Sequence, residues 1–371
     1  LVDRNQVNVD PVAAHANALR DAISRMPDTQ SLIVGALPGQ TVVIRYPRVK
    51  NVSDSEMDRA VEREAGQNIP YDLSEVFLDW SVLEEERDGD NRQHKILLVA
   101  AKHEVIDSRV QIADAAEIEY GVLSVDSLAL ADAAEGCQMF HPGETVALIN
   151  IGASSASIHF TRDGVSNFIR DVSWGAREMI QAIAKSRKCD YDQAERIMYD
   201  LENELANEVQ PTPFDEEPVV AALPADDDGD SGPTAASLLD PLDDEVETIS
   251  DVDDIADEYT TVAMEAQQPL SEVLAAPVNR LISEIRRSFD YYEHQLYERP
   301  VDRVILSGGI SHLPLIRDAV RGDLAVEHVE VADPRQGAIP ISNRMKSAEF
   351  EAHPSQFMVA MGLAIRGAED L

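Results

Sequence analysis

Cysteine and long apolar segments are scarce in this sequence. Of its 371 residues only Cys137 and Cys189 are cysteines, and they lack the CxxC spacing of a zinc or redox site. The nine histidines are scattered without HxH or HExxH spacing, which argues against zinc. The longest apolar runs, such as residues 96–101, fall far short of the roughly 20 residues that cross a bilayer. These absences exclude a disulfide framework and a membrane span, and they predict a cytoplasmic protein.

Basic residues are missing from one long internal stretch. The formal net charge is -38, and the segment between Arg196 and Arg280 holds 23 Asp and Glu but no Lys or Arg. Residues 207–268 are also poor in aromatics, so we predict a disordered acidic insert there. A solvated linker and an electrostatic tether to a basic partner are both open interpretations of it. Such acidity disfavours binding to nucleic acid or to an anionic lipid surface.

The first half of the chain predicts a helix followed by a small module with two helices. Asp10 and Pro11 are typical of a helix start, and the residues after them keep a helical apolar spacing. Ser53 and Glu56 form a capping-box pattern before a second helix. The predicted elements are a helix over 12–23, strands over 31–36 and 41–46 joined as a hairpin, a helix over about 57–68, strands over 76–83 and 95–101 around a charged turn at 84–92, a helix over 104–116 and a strand over 120–125. We call residues 40–118 the small module.

The second half predicts a β-meander, helices and a return to strands. Strands are expected over 145–151, 157–161 and 165–172, with a turn at Asp163 and Gly164. Helical stripes follow to about Leu205 and resume over 270–296, ahead of a strand over 301–306 and a helix over 314–321. A chain of this length is expected to form two or more domains.

Two glycine turns at strand ends are the main candidates for a binding site. Small residues at such turns allow backbone N–H groups to approach a phosphate closely. Either turn alone is compatible with a plain loop, but two of them about 155 residues apart, with helices between, favour a nucleotide cleft. No catalytic triad or general base is evident. The candidate binding residues are Asn150, Gly152, Ala153, Ser154 and Ser155 in the first turn and Ser307, Gly308 and Gly309 in the second.

The order of these segments resembles the PilM family, actin-like cytoplasmic proteins of type IV pilus assembly that are related to the cell-division protein FtsA. Few of the similar stretches are diagnostic alone, but their order and spacing are specific. Together they span about 300 residues, everything except the acidic insert. They are residues 36–39, 60–70, 75–83, 97–101, 125–126, 149–155, 162–164, 170–175, 180–185, 284–292, 301–309 and 357–367.

The resemblance implies an α/β, actin-like (ribonuclease H-like), two-lobed ATPase-domain fold with an inserted small α+β subdomain. ATP and Mg²⁺ are the implied cofactors, with residues 152–155 as the second phosphate loop and 307–309 as the adenosine-binding turn. The implied partner is the cytoplasmic tail of a PilN-like inner-membrane protein, which would place this protein at the inner membrane through its partners. The implied divisions are 1–39, 40–118 (the small module), 119–143, 144–172, 173–300 (a helical subdomain with the acidic insert) and 301–371.

Two departures from the family pattern shape the functional expectation. The family's first phosphate loop would precede Leu1, so the resemblance predicts an N-terminally truncated fragment. Asn150 stands where the family usually has Asp, and loss of that carboxylate would weaken the positioning of Mg²⁺. We therefore expect an ATP-binding scaffold with slow or absent hydrolysis. The alternatives are an active ATPase or small-molecule kinase of the same superfold, and a scaffold of a related secretion system. A further alternative is an FtsA-like division protein, which would need an amphipathic membrane helix near the C-terminus.

Overall fold

The computed structural model describes residues 4–26, 32–50, 52–88, 91–201, 268–337, 341 and 347–369. The predicted acidic insert lies outside these residues, except for Gln268. The described strands are β1 Val34–Leu37, β2 Val42–Arg45, β3 Arg48–Lys50, β4 Val76–Asp88, β5 Asn91–Lys102, β6 Val122–Val125, β7 Thr145–Ile151, β8 Ala156–Arg162, β9 Val165–Val172, β10 Arg303–Gly308 and β11 His328–Val331. The described helices are α1 Arg4–Val7, α2 Pro11–Ser24, α3 Met57–Asn68, α4 His103–Ala115, α5 Asp126–Gly136, α6 Ala176–Arg187, α7 Tyr191–Tyr199, α8 Leu270–Asp290, α9 Pro314–Leu324, α10 Ala348–Ala352 and α11 Met358–Glu369.

The largest sheet has five strands in the order β11-β10-β7-β8-β9. Strands β7, β10 and β11 run parallel, while β8 and β9 continue from β7 as an antiparallel meander. The predicted turn between β8 and β9 is confirmed, since Asp163 and Gly164 both adopt positive φ, 52° and 79°. Two successive positive φ values suit the twist of a two-residue hairpin.

Strand β7 is buried on both faces, which explains its nearly uninterrupted apolar sequence. Ala147, Ile149 and Ile151 point into a core formed with α6, α7, α8 and α9. Val146 and Leu148 point to the opposite face, where α5 and α11 cover the sheet. The central sheet is therefore a layer between helices, and its strand ends are held rigidly.

Two smaller sheets lie in the first half of the chain. Strands β1 and β6 pair in parallel, whereas β2, β3 and β4 all pair with β5 in an antiparallel sheet. Helix α3 packs on this second sheet, with Ala60, Val61 and Ala65 in a shared core. The predicted hairpin of the strands near residues 31–46 is thus wrong, because β1 and β2 belong to different sheets.

The prediction that the charged turn extends over residues 84–92 is also wrong, because the turn is much shorter. Strand β4 continues to Asp88 and β5 begins at Asn91, so most of those charged residues are paired across the hairpin. Glu85 accepts hydrogen bonds from Arg87 and Arg92 at 2.8 and 2.9 Å. Main-chain pairing and these ion pairs stabilise the charged residues as part of an exposed β-hairpin. Strand β3 was not predicted.

Several helix predictions are confirmed. Helix α2 starts at Pro11, and Asp10 Oδ1 accepts a hydrogen bond from Ala13 N at 3.0 Å. Helices α3, α4, α8 and α9 lie where the apolar spacing placed them. None of the described helices combines the length and apolarity that a membrane crossing needs.

Candidate functional site

The two predicted glycine turns lie side by side in the structure. Strands β7 and β10 are neighbouring parallel strands, in which Asn150 pairs with Ser307 and Ile151 with Gly308. Both turns therefore leave the same edge of the central sheet, at the carboxyl ends of its strands. Binding sites of open α/β sheets occur at this edge.

Gly308 allows the two turns to approach each other closely. Its φ is 102°, and a Cβ atom at this position would overlap the carbonyl oxygen of Ile151. Only glycine satisfies both conditions. The hydroxyl groups of the neighbouring serines make internal hydrogen bonds. Ser307 Oγ donates to the Ser355 carbonyl at 2.9 Å, and Ser311 Oγ donates to the Gly308 carbonyl at 2.8 Å. The second turn is therefore pre-formed, and the Ser307 hydroxyl serves its structure.

The first turn is fixed against the start of helix α6. The amides of Ala176 and Arg177 donate to the carbonyls of Gly152 and Ala153 at 3.0 and 2.9 Å. Gly175 makes this contact possible, since a Cβ there would lie 2.5 Å from Ser154 N. The first amides of a helix have no hydrogen-bond partner within the helix, and the turn supplies acceptors for two of them here.

A cavity of about 730 Å³ opens between the two turns and helices α6 and α7. Gly152, Ala153 and Gly309 line it, while Asn150, Ser154, Ser155, Ser307 and Gly308 flank it in the same turns. This volume falls within the usual range for small-molecule pockets. The structure therefore places three of the eight predicted residues in the cavity wall and the other five beside them in the same two turns.

The cavity combines apolar walls with a few polar groups. Ile180, Met198, Ile310 and Leu313 contribute apolar surface, and Tyr191 adds an aromatic ring. The polar and charged lining residues are Arg177, Gln181, Asp192, Glu195, His312 and Gln356. Among the described lining residues Arg177 is the only Arg or Lys, so it is the natural partner for an anionic ligand group.

Two partly buried carboxyl groups that the sequence did not single out lie close to each other, on helix α5 and strand β9. Asp126, the first residue of α5, accepts hydrogen bonds from the amides of Gly39 and Ser127 at 3.0 and 2.7 Å. Gly39 also abuts Asp171, since a Cβ on Gly39 would lie 2.5 Å from both carboxylate oxygens of Asp171. Both aspartates therefore contact the same glycine.

The environment of these aspartates disfavours a second negative charge. Burial, and then the neighbouring Asp126, raise the pKa of Asp171 to about 7. Burial also raises the pKa of Asp126, although the two amide hydrogen bonds act against it. Two close carboxyl groups with raised pKa values are typical of a shared proton or of a site that attracts a cation.

A polar row across the sheet connects this pair to the predicted turns. Ser307, Asn150, Ser157 and Asp171 are successive cross-strand partners on β10, β7, β8 and β9. Ser157 Oγ is buried and has no hydrogen-bond partner within the described part of the chain. Among the described residues no group of three or more His, Cys, Asp or Glu side chains could hold a metal ion. Any cation at this row would therefore depend on one or two carboxylates together with ligands from elsewhere.

A second cavity, of about 860 Å³, lies between the small module and strand β6. Phe77 of β4, Ile106 and Val110 of α4, and Leu123 of β6 give it an apolar floor. Phe77 and Val110 are 55% and 42% exposed although they are apolar. Asp114, Glu117 and Glu119 also line this cavity and make it acidic. We call it the acidic groove.

Comparison with known proteins identifies the fold. A solved structure described as the PilM-PilN type IV pilus biogenesis complex matches with a TM-score of 0.69 and 21% identity, over 96% of this chain and 86% of that one. This match shows the actin-like α/β fold that the sequence predicted. Weaker likenesses are to the ethanolamine utilization protein EutJ from Carboxydothermus hydrogenoformans (TM-score 0.39, 13% identity, 71% and 61% covered) and to component A of the (R)-2-hydroxyglutaryl-CoA dehydratase of Acidaminococcus fermentans (0.35, 10%, 72% and 84%).

The family assignment comes from a family model. The model of the type IV pilus assembly protein PilM matches residues 1–221 and 255–368, which is most of the chain. The predicted resemblance is thereby confirmed, and the chain belongs to the PilM family of type IV pilus assembly proteins.

Proposed function

We propose that this protein is an ATP-binding scaffold of the type IV pilus assembly complex, and that it recruits the cytoplasmic tail of a PilN-type inner-membrane protein. The observation that carries the proposal is the meeting of two glycine turns on one ligand-sized cavity in a protein of the PilM family. In this proposal the protein is cytoplasmic and reaches the inner membrane only through its partners.

The residues around the cavity fit a nucleotide. Gly309 lines it, and a Cβ there would meet nothing within 4 Å, so its backbone borders open space. Residues 307–309 would hold the adenosine part, the first turn would face the phosphates, and Arg177 would supply a positive charge to them. Apolar side chains such as Ile310 and Met198 would cover the base.

The residues for Mg²⁺ fit only in part. Protein-bound Mg²⁺ usually takes one or two carboxylates, with waters and substrate phosphates completing its shell. Asp126 and Asp171 could supply them, whereas Asn150 in the same polar row cannot. When bound, the ion would neutralise phosphate charge; with an amide at Asn150 we expect binding without efficient hydrolysis.

This expectation is tested by measuring ATP affinity and turnover of the full-length protein with and without Asn150→Asp. We expect the wild type to bind ATP with little turnover, and Asn150→Asp to bind with similar affinity. Brisk turnover by the wild type would contradict the scaffold proposal.

One observation favours an active ATPase as a second candidate. A carboxyl group with a pKa of about 7 is matched to proton transfer near neutral pH, and Asp171 has this property. If the protein is an ATPase, Asp171→Asn should lower turnover by a far larger factor than it lowers ATP affinity. Turnover that survives this substitution would remove Asp171 as its base.

We place the partner tail in the acidic groove. The structural relative is described as a complex with PilN. The exposed Phe77 and Val110 offer apolar contacts, and the three acidic side chains suit a tail that carries Lys or Arg as well as apolar residues.

The groove is tested with a synthetic peptide of the cytoplasmic tail of the PilN-type protein from the same organism. Phe77→Ala and Val110→Ala should each weaken peptide binding about tenfold, since buried anchors of this kind contribute more than 1 kcal/mol. Val82→Ala is the matched control, because Val82 is an exposed valine of β4 that does not line the groove. Equal losses for Val82→Ala and Val110→Ala would remove the groove as the docking site.

A further inference from the structure

A chain of hydrogen bonds, centred on the fully buried His159, runs from the small module to helix α5. Tyr46 Oη lies 2.7 Å from Ser166 Oγ, and Ser166 Oγ lies 2.8 Å from His159 Nε2. His159 Nδ1 lies 3.0 Å from the carbonyl oxygen of Ser127, the second residue of α5. The chain thus crosses four elements, from the β2–β3 connection through β9 and β8 to α5.

The chemistry fixes the direction of this chain. A carbonyl oxygen only accepts, so His159 Nδ1 carries a proton and donates to Ser127. His159 is fully buried, and burial lowers its pKa to about 4, so the ring is neutral and Nε2 accepts from Ser166. Ser166 Oγ in turn accepts from the Tyr46 hydroxyl. Every donor along this path has a partner, and loss of either contact of His159 would leave a nitrogen of this fully buried ring unpaired.

One end of the chain adjoins Asp126, and the other end reaches the antiparallel sheet that carries the acidic groove. Ser127 directly follows Asp126, whose carboxylate holds the Gly39 amide beside Asp171. Tyr46 lies between β2 and β3, which both pair with β5, and β5 also pairs with β4, the strand that carries Phe77 of the acidic groove.

A second contact fixes the same part of β9. Lys95 of β5 binds the side chain of Asn167, which donates to the hydroxyl of Tyr292 at 2.8 Å. Lys95 also lies 5.9 Å from the centre of the Tyr46 ring. Movement of the β5 sheet relative to β9 would therefore disturb Ser166 directly.

We propose that His159 is a positioning residue that holds the first turn of α5, and with it Asp126, against strand β8 of the central sheet. Tyr46 connects it to the sheet of the acidic groove, so that occupation of the groove changes the affinity of the nucleotide cleft. This coupling rests on the proposed function, whereas the positioning of α5 by His159 does not.

The positioning role is tested without any ligand, by hydrogen exchange of the amides of residues 126–136. His159→Leu removes both hydrogen bonds and should speed exchange in α5 at least fivefold, the effect of losing one buried hydrogen bond. His159→Asn keeps an N–H donor near the place of Nδ1 and should restore slow exchange. Equal exchange in both variants would overturn the positioning role.

The coupling is tested with Tyr46→Phe, which removes one hydroxyl and keeps the ring. Affinity for a non-hydrolysable ATP analogue is measured with and without the saturating tail peptide. In the wild type the peptide should change that affinity at least fivefold, a typical size for coupled sites. In Tyr46→Phe the change should shrink below twofold, while the control Tyr71→Phe, at an exposed tyrosine of the same module, keeps it.

The outcomes separate the inference from the proposed function. An equal peptide effect in wild type and Tyr46→Phe, or none in a wild type that binds both ligands, would overturn the coupling. A wild type that binds neither the peptide nor the nucleotide would instead refute the proposed function and the coupling with it; the exchange experiment would still decide the role of His159.

Discussion

Single residues determine how closely the two turns of the cleft approach. Gly308 combines a positive φ with a contact to the Ile151 carbonyl that no side chain could share. Gly322 lies inside helix α9, and a Cβ atom added there would meet nothing within 4 Å. The same substitution should therefore have opposite effects at these two positions.

We predict that Gly308→Ala lowers the free energy of unfolding by about 2 kcal/mol or more, because it combines backbone strain with overlap. Gly322→Ala should raise it by roughly 0.5 kcal/mol, the gain of alanine over glycine inside a helix. Chemical denaturation of both variants measures this. A Gly308→Ala protein as stable as the wild type would show that the turn is not held as described.

The Asp171 carboxyl group should also make stability depend on pH. Its pKa in the folded state, about 7, lies above its ordinary value of 3.8. The folded protein therefore keeps a proton that the unfolded chain loses, and stability falls as pH rises from about 4 to about 7.

We predict that Asp171→Asn removes this loss, so that the variant gains stability relative to the wild type as pH rises and the gain levels off above pH 7. Melting temperatures measured between pH 5 and pH 8 provide the test. Asp107→Asn, at an exposed position of α4, is the control and should follow the wild type. A constant difference between Asp171→Asn and wild type would refute the raised pKa.

At the scale of elements, one buried arginine ties strand β10 to its surroundings. Arg303 donates from Nε and Nη2 to the two carboxylate oxygens of Glu144, each at 2.7 Å. It also binds Glu330 of β11 and the Met139 carbonyl. These contacts hold the start of the strand whose other end carries the second glycine turn.

We predict that Arg303→Lys costs about 2 kcal/mol of stability, because a lysine cannot reproduce the two-pronged contact with Glu144. Arg286→Lys, at the exposed pair with Asp323, should cost less than about 1 kcal/mol. Urea unfolding of the two variants compares these costs. Equal costs would mean that the buried network contributes no more than a surface pair.

The helices and strands also show which parts of the fold the sequence could predict. Helix spacing and caps predicted α2, α3 and α8, because those signals are local. The pairing of β1 was missed because its partner β6 lies about 85 residues further along the chain, and β propensity does not identify a partner. Local turn signals instead favoured pairing of β1 with β2, which is nearby in the sequence.

The candidate site could be predicted from the sequence only in part. Each glycine turn follows an apolar strand, and parallel strands bring their carboxyl ends to one edge, so their meeting could be expected. Asp126 and Asp171 could not be distinguished among 69 acidic residues, since their partial burial and proximity arise only from tertiary packing around Gly39. His159 lies in a strand without any motif, and only its buried contacts reveal a role.

At the scale of the whole molecule, the hydrogen-bonded path from Tyr46 to Ser127 joins the sheet of the small module to helix α5. Helix α5 begins with Asp126, and α11 packs along it, with Arg366 donating to both carboxylate oxygens of Asp132 at 2.8 and 3.0 Å. The proposed scaffold therefore depends first on whether the cleft binds a nucleotide, since the coupling and the hydrolysis questions both follow from it.

The most direct test of this claim is the ATP affinity of the full-length protein measured by titration calorimetry, for the wild type, Gly309→Ala and Gly309→Val. Gly309 lines the cavity, and a Cβ atom added to it would meet no other atom within 4 Å. A larger side chain should therefore fill the site without disturbing the fold. We predict saturable ATP binding by the wild type and Gly309→Ala, and at least a tenfold loss for Gly309→Val at an unchanged melting temperature. Absence of binding to the wild type, or equal binding by Gly309→Val, would contradict the account.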